Sequence, residues 1–181
     1  MLIFRLVRFV FRRRLLILAL AGLRYVKAWP VSIESSITAD APPSVVWRLI
    51  TDWERQGDWM LEASDFTVIG DQREGIGVEA EATVTIAGIS TRDRVKVVGW
   101  EPDKRLAIRH LGWVSGTGEI FLTPVRSGDA DGTFIFWREE LEPPESLGGL
   151  GALGMTLLKP IMAKVFQRDL DVLAELARKS A

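Results

Sequence analysis

His110 is the single histidine in 181 residues. It is also the side chain best suited to moving a proton near neutral pH. As a general base it would need a carboxylate partner, and Glu139 and Glu79 are the candidates, although acidic residues on strands are usually solvated surface groups. The plainer alternative is a buried, neutral imidazole hydrogen-bonded to a neighbour. Arg92, Arg94 and Arg109 offer guanidinium groups for a ligand carboxylate or phosphate. The alternation of Arg92, Arg94 and Lys96 reads equally well as the wet face of a sheet. Ser115, Ser127 and Ser146 stand in turns without a histidine nearby in sequence, so no nucleophile–base pair is signalled. Cysteine is absent, which removes disulfide scaffolds, thiolate metal sites and a cysteine nucleophile together. A single histidine rules out a His-rich metal centre, and no phosphate loop occurs. No cofactor or metal is implied, and His110 is the one catalytic candidate.

These side chains must be held by strands. Val31 to Ala39 alternates apolar and polar residues and predicts a first strand. The chain then breaks at Asp40-Ala41-Pro42-Pro43, where proline suits a helix start and Asp40 or Ser44 is placed to cap it. Val45, Val46, Leu49 and Ile50 give that helix an apolar face, which ends in a Trp-rich turn near Gly57. Six strands follow, over residues 66–70, 78–86, 91–100, 105–113, 119–125 and 133–141, separated by turns such as 101–104 and 128–132. On the fifth strand of the chain Leu106, Ile108 and His110 share one face, and the apolar pair turns that face inward. On the last strand Thr133, Ile135, Trp137 and Glu139 oppose Phe134, Phe136 and Arg138, and aromatics on both faces leave the inward one open.

From Leu147 the period becomes helical. Leu158, Ile161, Met162, Val165, Phe166, Leu170, Leu173 and Leu176 recur at three- and four-residue steps, with Pro160 inside the run. "APPSVVW" at the first helix, "WEPDKRL" before the fifth strand, "GTG" with "FLTPV", "GDADGTFIFW" and this terminal helix together resemble the START-like, or SRPBCC, superfamily of polyketide cyclases/dehydrases and lipid-transport proteins, over residues 31–178. The resemblance implies an α+β helix-grip (START/Bet v 1-like) fold, a curved antiparallel sheet wrapped on a long C-terminal helix around an apolar cavity. It also implies aldol-type ring closure in the cyclase branch, but no motif carries that branch's catalytic residues onto this chain. The sole tyrosine, Tyr25, falls outside the domain, and the iron ligands of oxygenase relatives are lacking.

Residues 1–29 form a separate object from the domain at 30–181. They carry Arg5, Arg8, Arg12, Arg13, Arg14, Arg24 and Lys27 and no acid, whereas the remaining 16 Lys and Arg face 24 Asp and Glu. An acidic body repels phosphate backbones, which argues against nucleic acid. The apolar run Leu15–Leu23 is too short to span a bilayer, for which about 20 residues are needed. Ala19-Leu20-Ala21 mimics a signal cleavage site but lies inside the run. Arg5, Arg8 and Arg12 share a helical face away from Leu2, Ile3, Phe9 and Val10, as in a helix lying on an anionic membrane surface; an inert extension and a signal or anchor stay open.

The expected ligand is a hydrophobic small molecule or lipid. The expected wall comprises Trp59, Val84, Ile108, His110, Leu122, Ile135, Trp137, Met162 and Phe166. Trp47, Trp100 and Trp113 offer further flat apolar surface, although a sheet–helix core uses tryptophans in the same way. The reading is a binding or transport protein of the cytoplasm, free or peripheral at the inner membrane face. A cyclase or dehydratase using His110, and a regulatory or stress protein acting through its surface, are the alternatives.

Overall fold

A computed structural model describes residues 13, 15–86, 88–127 and 130–181. The expected cationic face at Arg5, Arg8 and Arg12 and the turn residue Gly128 lie outside the described residues. Helix α1 covers 15–23, and β1 (Val31–Ala39) follows it. Next come α2 (Pro43–Thr51) and a 3-10 turn, Trp53–Asp58. The meander then runs β2 (Ala63–Ile69), β3 (Glu79–Ile86), β4 (Ile89–Glu101), β5 (Arg105–Leu111), β6 (Ser115–Ser127) and β7 (Ala130–Glu142). After a short turn the chain ends in α3 (Gly148–Ser180).

The seven strands form one antiparallel sheet in the order β1-β7-β6-β5-β4-β3-β2. β1 therefore closes on the end of the meander, and α3 packs across the concave face. The alternation on β1 is legible in its burial: Val31, Ile33 and Ala39 are buried while Ser32 and Glu34 are exposed. On α3, Met162, Phe166, Leu170, Leu173 and Ala177 face the sheet. Ile135 and Leu122 belong to the same core, and Trp47 meets Trp100 edge-on at 5.0 Å between centroids.

Several boundaries differ from the sequence reading. Neither Asp40 nor Ser44 caps α2. Pro42 occupies the cap in extended conformation, and its carbonyl accepts from Val45 N at 3.0 Å. Pro43 has no N–H to satisfy, so the first turn needs less capping. Trp113 lies in the β5–β6 turn, because pairing stops at Leu111 opposite Ser115. Gly116 and Gly118 lie inside β6, not before it, and pair with β7.

The register also fixes which elements meet at one end of the sheet. Val31 pairs with Leu141, Leu141 with Gly116, and Ser115 with Leu111. The start of β1, the end of β7 and the β5–β6 turn are thus neighbours. The segment after α1 is tied to the first turn of α3 there: Gly149 N donates to Val26 O at 2.8 Å. Gly148 has φ +50°, and a Cβ on it would collide with the Arg24 carbonyl, so glycine is required at that junction.

Candidate functional site

Between the concave sheet and α3 lies a cavity of two chambers. The inner one, about 100 Å³, reaches from Ile50 and Trp53 to Leu106 and Ile120. The outer one, about 230 Å³, runs from Met162 and Phe166 to Ile89 and Trp113, where it opens at the end of the sheet just described. Met60, Val84, Asp93, His110, Trp137 and Glu139 line both, so they form the neck. Together the chambers fall at the lower end of the ~300–1,000 Å³ found for small-molecule sites.

Of the residues expected on the wall, Trp59 and Ile108 line the inner chamber and Met162 and Phe166 the outer one; Val84, His110 and Trp137 line both. Leu122 and Ile135 also point inward but sit in the packed core, Ile135 without any exposed surface. The inward face of β7 is now fixed as Thr133, Ile135, Trp137 and Glu139, all buried. Trp137 is clamped between Phe166, stacked at 4.6 Å, and Trp59, edge-on at 5.8 Å.

The neck carries an ionic cluster. His110 Nδ1 lies 2.7 Å from Asp93 Oδ2, and Nε2 lies 3.0 Å from Glu139 Oε2. Trp137 Nε1 donates to the other Glu139 oxygen at 2.8 Å. His110 and Glu139 sit on β5 and β7 with β6 between them, roughly 10 Å apart by strand spacing. They meet because the β6 residue opposite Glu139, Gly118, carries no side chain. A Cβ on Gly118 would strike the Glu139 carboxylate.

Burial alone would push the His110 imidazole down. The hydrogen bonds that Asp93 and Glu139 accept from the ring, with their negative charges, outweigh it and raise it to about 10. Both ring nitrogens thus face carboxylate oxygens, an arrangement that favours the imidazolium over the neutral ring. With both ring nitrogens held by carboxylates, a general-base role for His110 would require one of these contacts to open first. Of the expected acidic partners, Glu139 is buried at the neck, while Glu79 lies on the convex face with Arg94 and Lys96. Arg92 pairs with Glu81 across strands and borders the outer chamber, whereas Arg109 is exposed on the wet face. Ser115 and Ser127 fall at the two ends of β6, and Ser146 lies in the turn before α3.

Asp93 escaped the sequence reading, although its signal was there. If Arg92, Arg94 and Lys96 face water, then Asp93, Val95 and Val97 face inward, and an acid in that set requires a partner. A second acidic pair was likewise unread. Glu62, whose side chain is 4% exposed, edges the outer chamber beside the fully buried Asp169 of α3. Burial, then the hydrogen bond and charge of Asp169, push the Glu62 carboxyl up to about 8. Asp169 Oδ2 has no hydrogen-bond partner, while Oδ1 accepts from Leu61 N and Arg168.

A carboxyl raised in the folded state stabilises below its unfolded value near 4.5 and loses that contribution as pH rises through about 8. Glu62→Gln keeps a donor toward Asp169 and removes the titration. In urea denaturation the variant is expected to gain about 1–3 kcal/mol over the parent between pH 5 and pH 9. An unchanged difference between the two pH values would show that Glu62 is ionised throughout.

The fold is shared with solved structures. The Zhui aromatase/cyclase from Streptomyces sp. R1128 superposes with a TM-score of 0.68 over 83% of this chain and 95% of its own, at 16% identity. A protein from Thermus thermophilus gives 0.64 over 83% and 99%, at 19% identity. Truncated norcoclaurine synthase from Thalictrum flavum gives 0.61 over 83% and 95%, at 13% identity. No curated protein matches the chain in sequence. The family model described as polyketide cyclase / dehydrase and lipid transport matches residues 30–178. With its helix-grip fold, the chain belongs to that family, within the START-like (SRPBCC) superfamily.

Proposed function

We propose that this protein binds or carries a hydrophobic small molecule or lipid in the two-chamber cavity, without chemical change. One observation carries the reading: an apolar cavity that stays open between sheet and helix, interrupted at its neck by an ionic cluster. Two carboxylates around one imidazolium leave an excess of acceptor oxygens. The ligand favoured is therefore apolar over most of its length with a hydroxyl or other donor at the neck. On this reading the chain works in the cytoplasm, where proteins seldom rely on disulfides and a chain without cysteine is at no disadvantage.

The cyclase or dehydratase alternative draws support from the same neck, since it brings acid–base groups into the middle of the cavity. It would have to use Asp93 or Glu139 directly, because His110 is committed to both. Native mass spectrometry of the purified protein, followed by solvent extraction, tests the binding reading. A bound apolar molecule recovered unchanged is expected. Recovery of a cyclised or dehydrated product from an added polyketide would favour the enzyme.

A further inference from the structure

We propose that the end of the molecule formed by α1, the first half of α3 and the β5–β6 turn docks on an anionic phospholipid bilayer, with the cavity mouth turned toward the lipid. The proposal rests on the cavity-binding reading and adds where the ligand enters and leaves. Three independent features converge on this end. The outer chamber opens there, between Ile89, Trp113 and Leu158. Large apolar side chains stand in water around that opening: Ile89 and Trp113 are 59% and 58% exposed, and Leu157 of α3 is 69% exposed. On α1, Leu16, Ile17 and Leu18 are exposed as well. α3 itself has a stretch apolar enough to cross a membrane, yet only 28% of that stretch is buried. A core helix of the same composition would have most of its surface covered.

The position of α1 is fixed, not incidental. Val26 O and Gly149 N join the segment after α1 to α3, and Trp29 Nε1 donates to Thr156 Oγ1 at 3.4 Å. The described part of the chain before β1 is therefore held at the end where the cavity opens. The whole segment, residues 1–29, carries seven cations and no acid, against a strongly acidic remainder. The charge selects the occupant. A two-fold contact between copies would bring two such cationic segments together, whereas anionic headgroups neutralise them. Apolar side chains below the headgroups then cover what water now touches. A ligand of low aqueous solubility would pass between bilayer and cavity without crossing water.

The test uses the full chain with vesicles of phosphatidylcholine alone and of phosphatidylcholine with phosphatidylglycerol. Binding to the anionic vesicles is expected to exceed binding to neutral ones, to weaken with salt, and to persist in part at high salt. The exposed double variant Leu157→Asp, Ile161→Asp should keep its circular dichroism and lose at least about tenfold in vesicle affinity. Brominated acyl chains should quench the parent more than Trp113→Phe. Equal binding to both vesicle types, undiminished binding of the double variant, or a concentration-dependent dimer without vesicle binding would each overturn the proposal. Uptake of 1-N-phenylnaphthylamine in the absence of vesicles separates the two readings. If uptake persists while vesicle binding fails, the docking surface alone is wrong; if uptake fails too, the cavity reading falls with it.

Discussion

Replacing His110 by alanine is expected to lower the stability of the fold by about 3–5 kcal/mol at pH 7, the cost of leaving buried charge uncompensated. The side chain is only partly a space-filler. Its loss leaves Asp93 and Glu139 as two acceptors across an apolar neck, with no donor between them. Trp137 satisfies a single Glu139 oxygen and leaves Asp93 unaided. The effect should depend on pH with a definite sign. An imidazole whose folded value is raised stabilises fully below about 6.5 and loses that contribution as pH climbs toward about 10. The difference between parent and variant should therefore be largest near pH 6 and shrink by pH 10, as read by urea denaturation. Adding Glu139→Gln to His110→Ala should recover part of the loss, since a neutral amide replaces one stranded charge. A small, pH-independent penalty would mean that His110 is neutral.

The second large effect is on binding. Val84 of β3 lines both chambers at the neck and is only partly buried, so its position can accept bulk. Val84→Trp is expected to divide the cavity and weaken binding of an apolar fluorescent probe by about a hundredfold or more, equivalent to losing roughly 3 kcal/mol of buried apolar contact. Overpacking typically costs about 1–3 kcal/mol of stability, which a domain of this size tolerates. The variant should thus remain folded and stop binding. That combination distinguishes a cavity from a sticky surface, because a surface site would be indifferent to bulk at the neck.

The fold was legible because its signals are local. The period-two alternation of β1 and β3, the proline break before α2 and the helical period of α3 each state which face is buried. Boundaries slipped where pairing, not composition, decides them. Trp113 looks like strand but has no partner beyond Leu111, and the glycines of β6 look like a turn but pair throughout. The cavity wall was legible to the same depth, since alternation names the inward residues. Alternation alone does not say which of these pack solidly, so Leu122 and Ile135 were read with the wall although they fill the core. The neck cluster was only half visible. His110 and Glu139 are far apart in sequence and lie on strands that do not touch, so their meeting depends on the missing side chain at Gly118 on the strand between. The Glu62–Asp169 pair joins a loop to a helix 107 positions later in the chain, a distance no periodicity spans.

The measurement closest to the central claim is a titration of the full chain with 1-N-phenylnaphthylamine, following tryptophan emission. Trp59 lines the inner chamber and Trp137 lines both, so a ligand in either chamber lies beside an indole. Saturable binding of about one probe per chain, with quenching that Val84→Trp abolishes, is the predicted result. Binding that never saturates, or that Val84→Trp leaves unchanged, would contradict the claim that this protein works by enclosing a hydrophobic ligand between its sheet and α3.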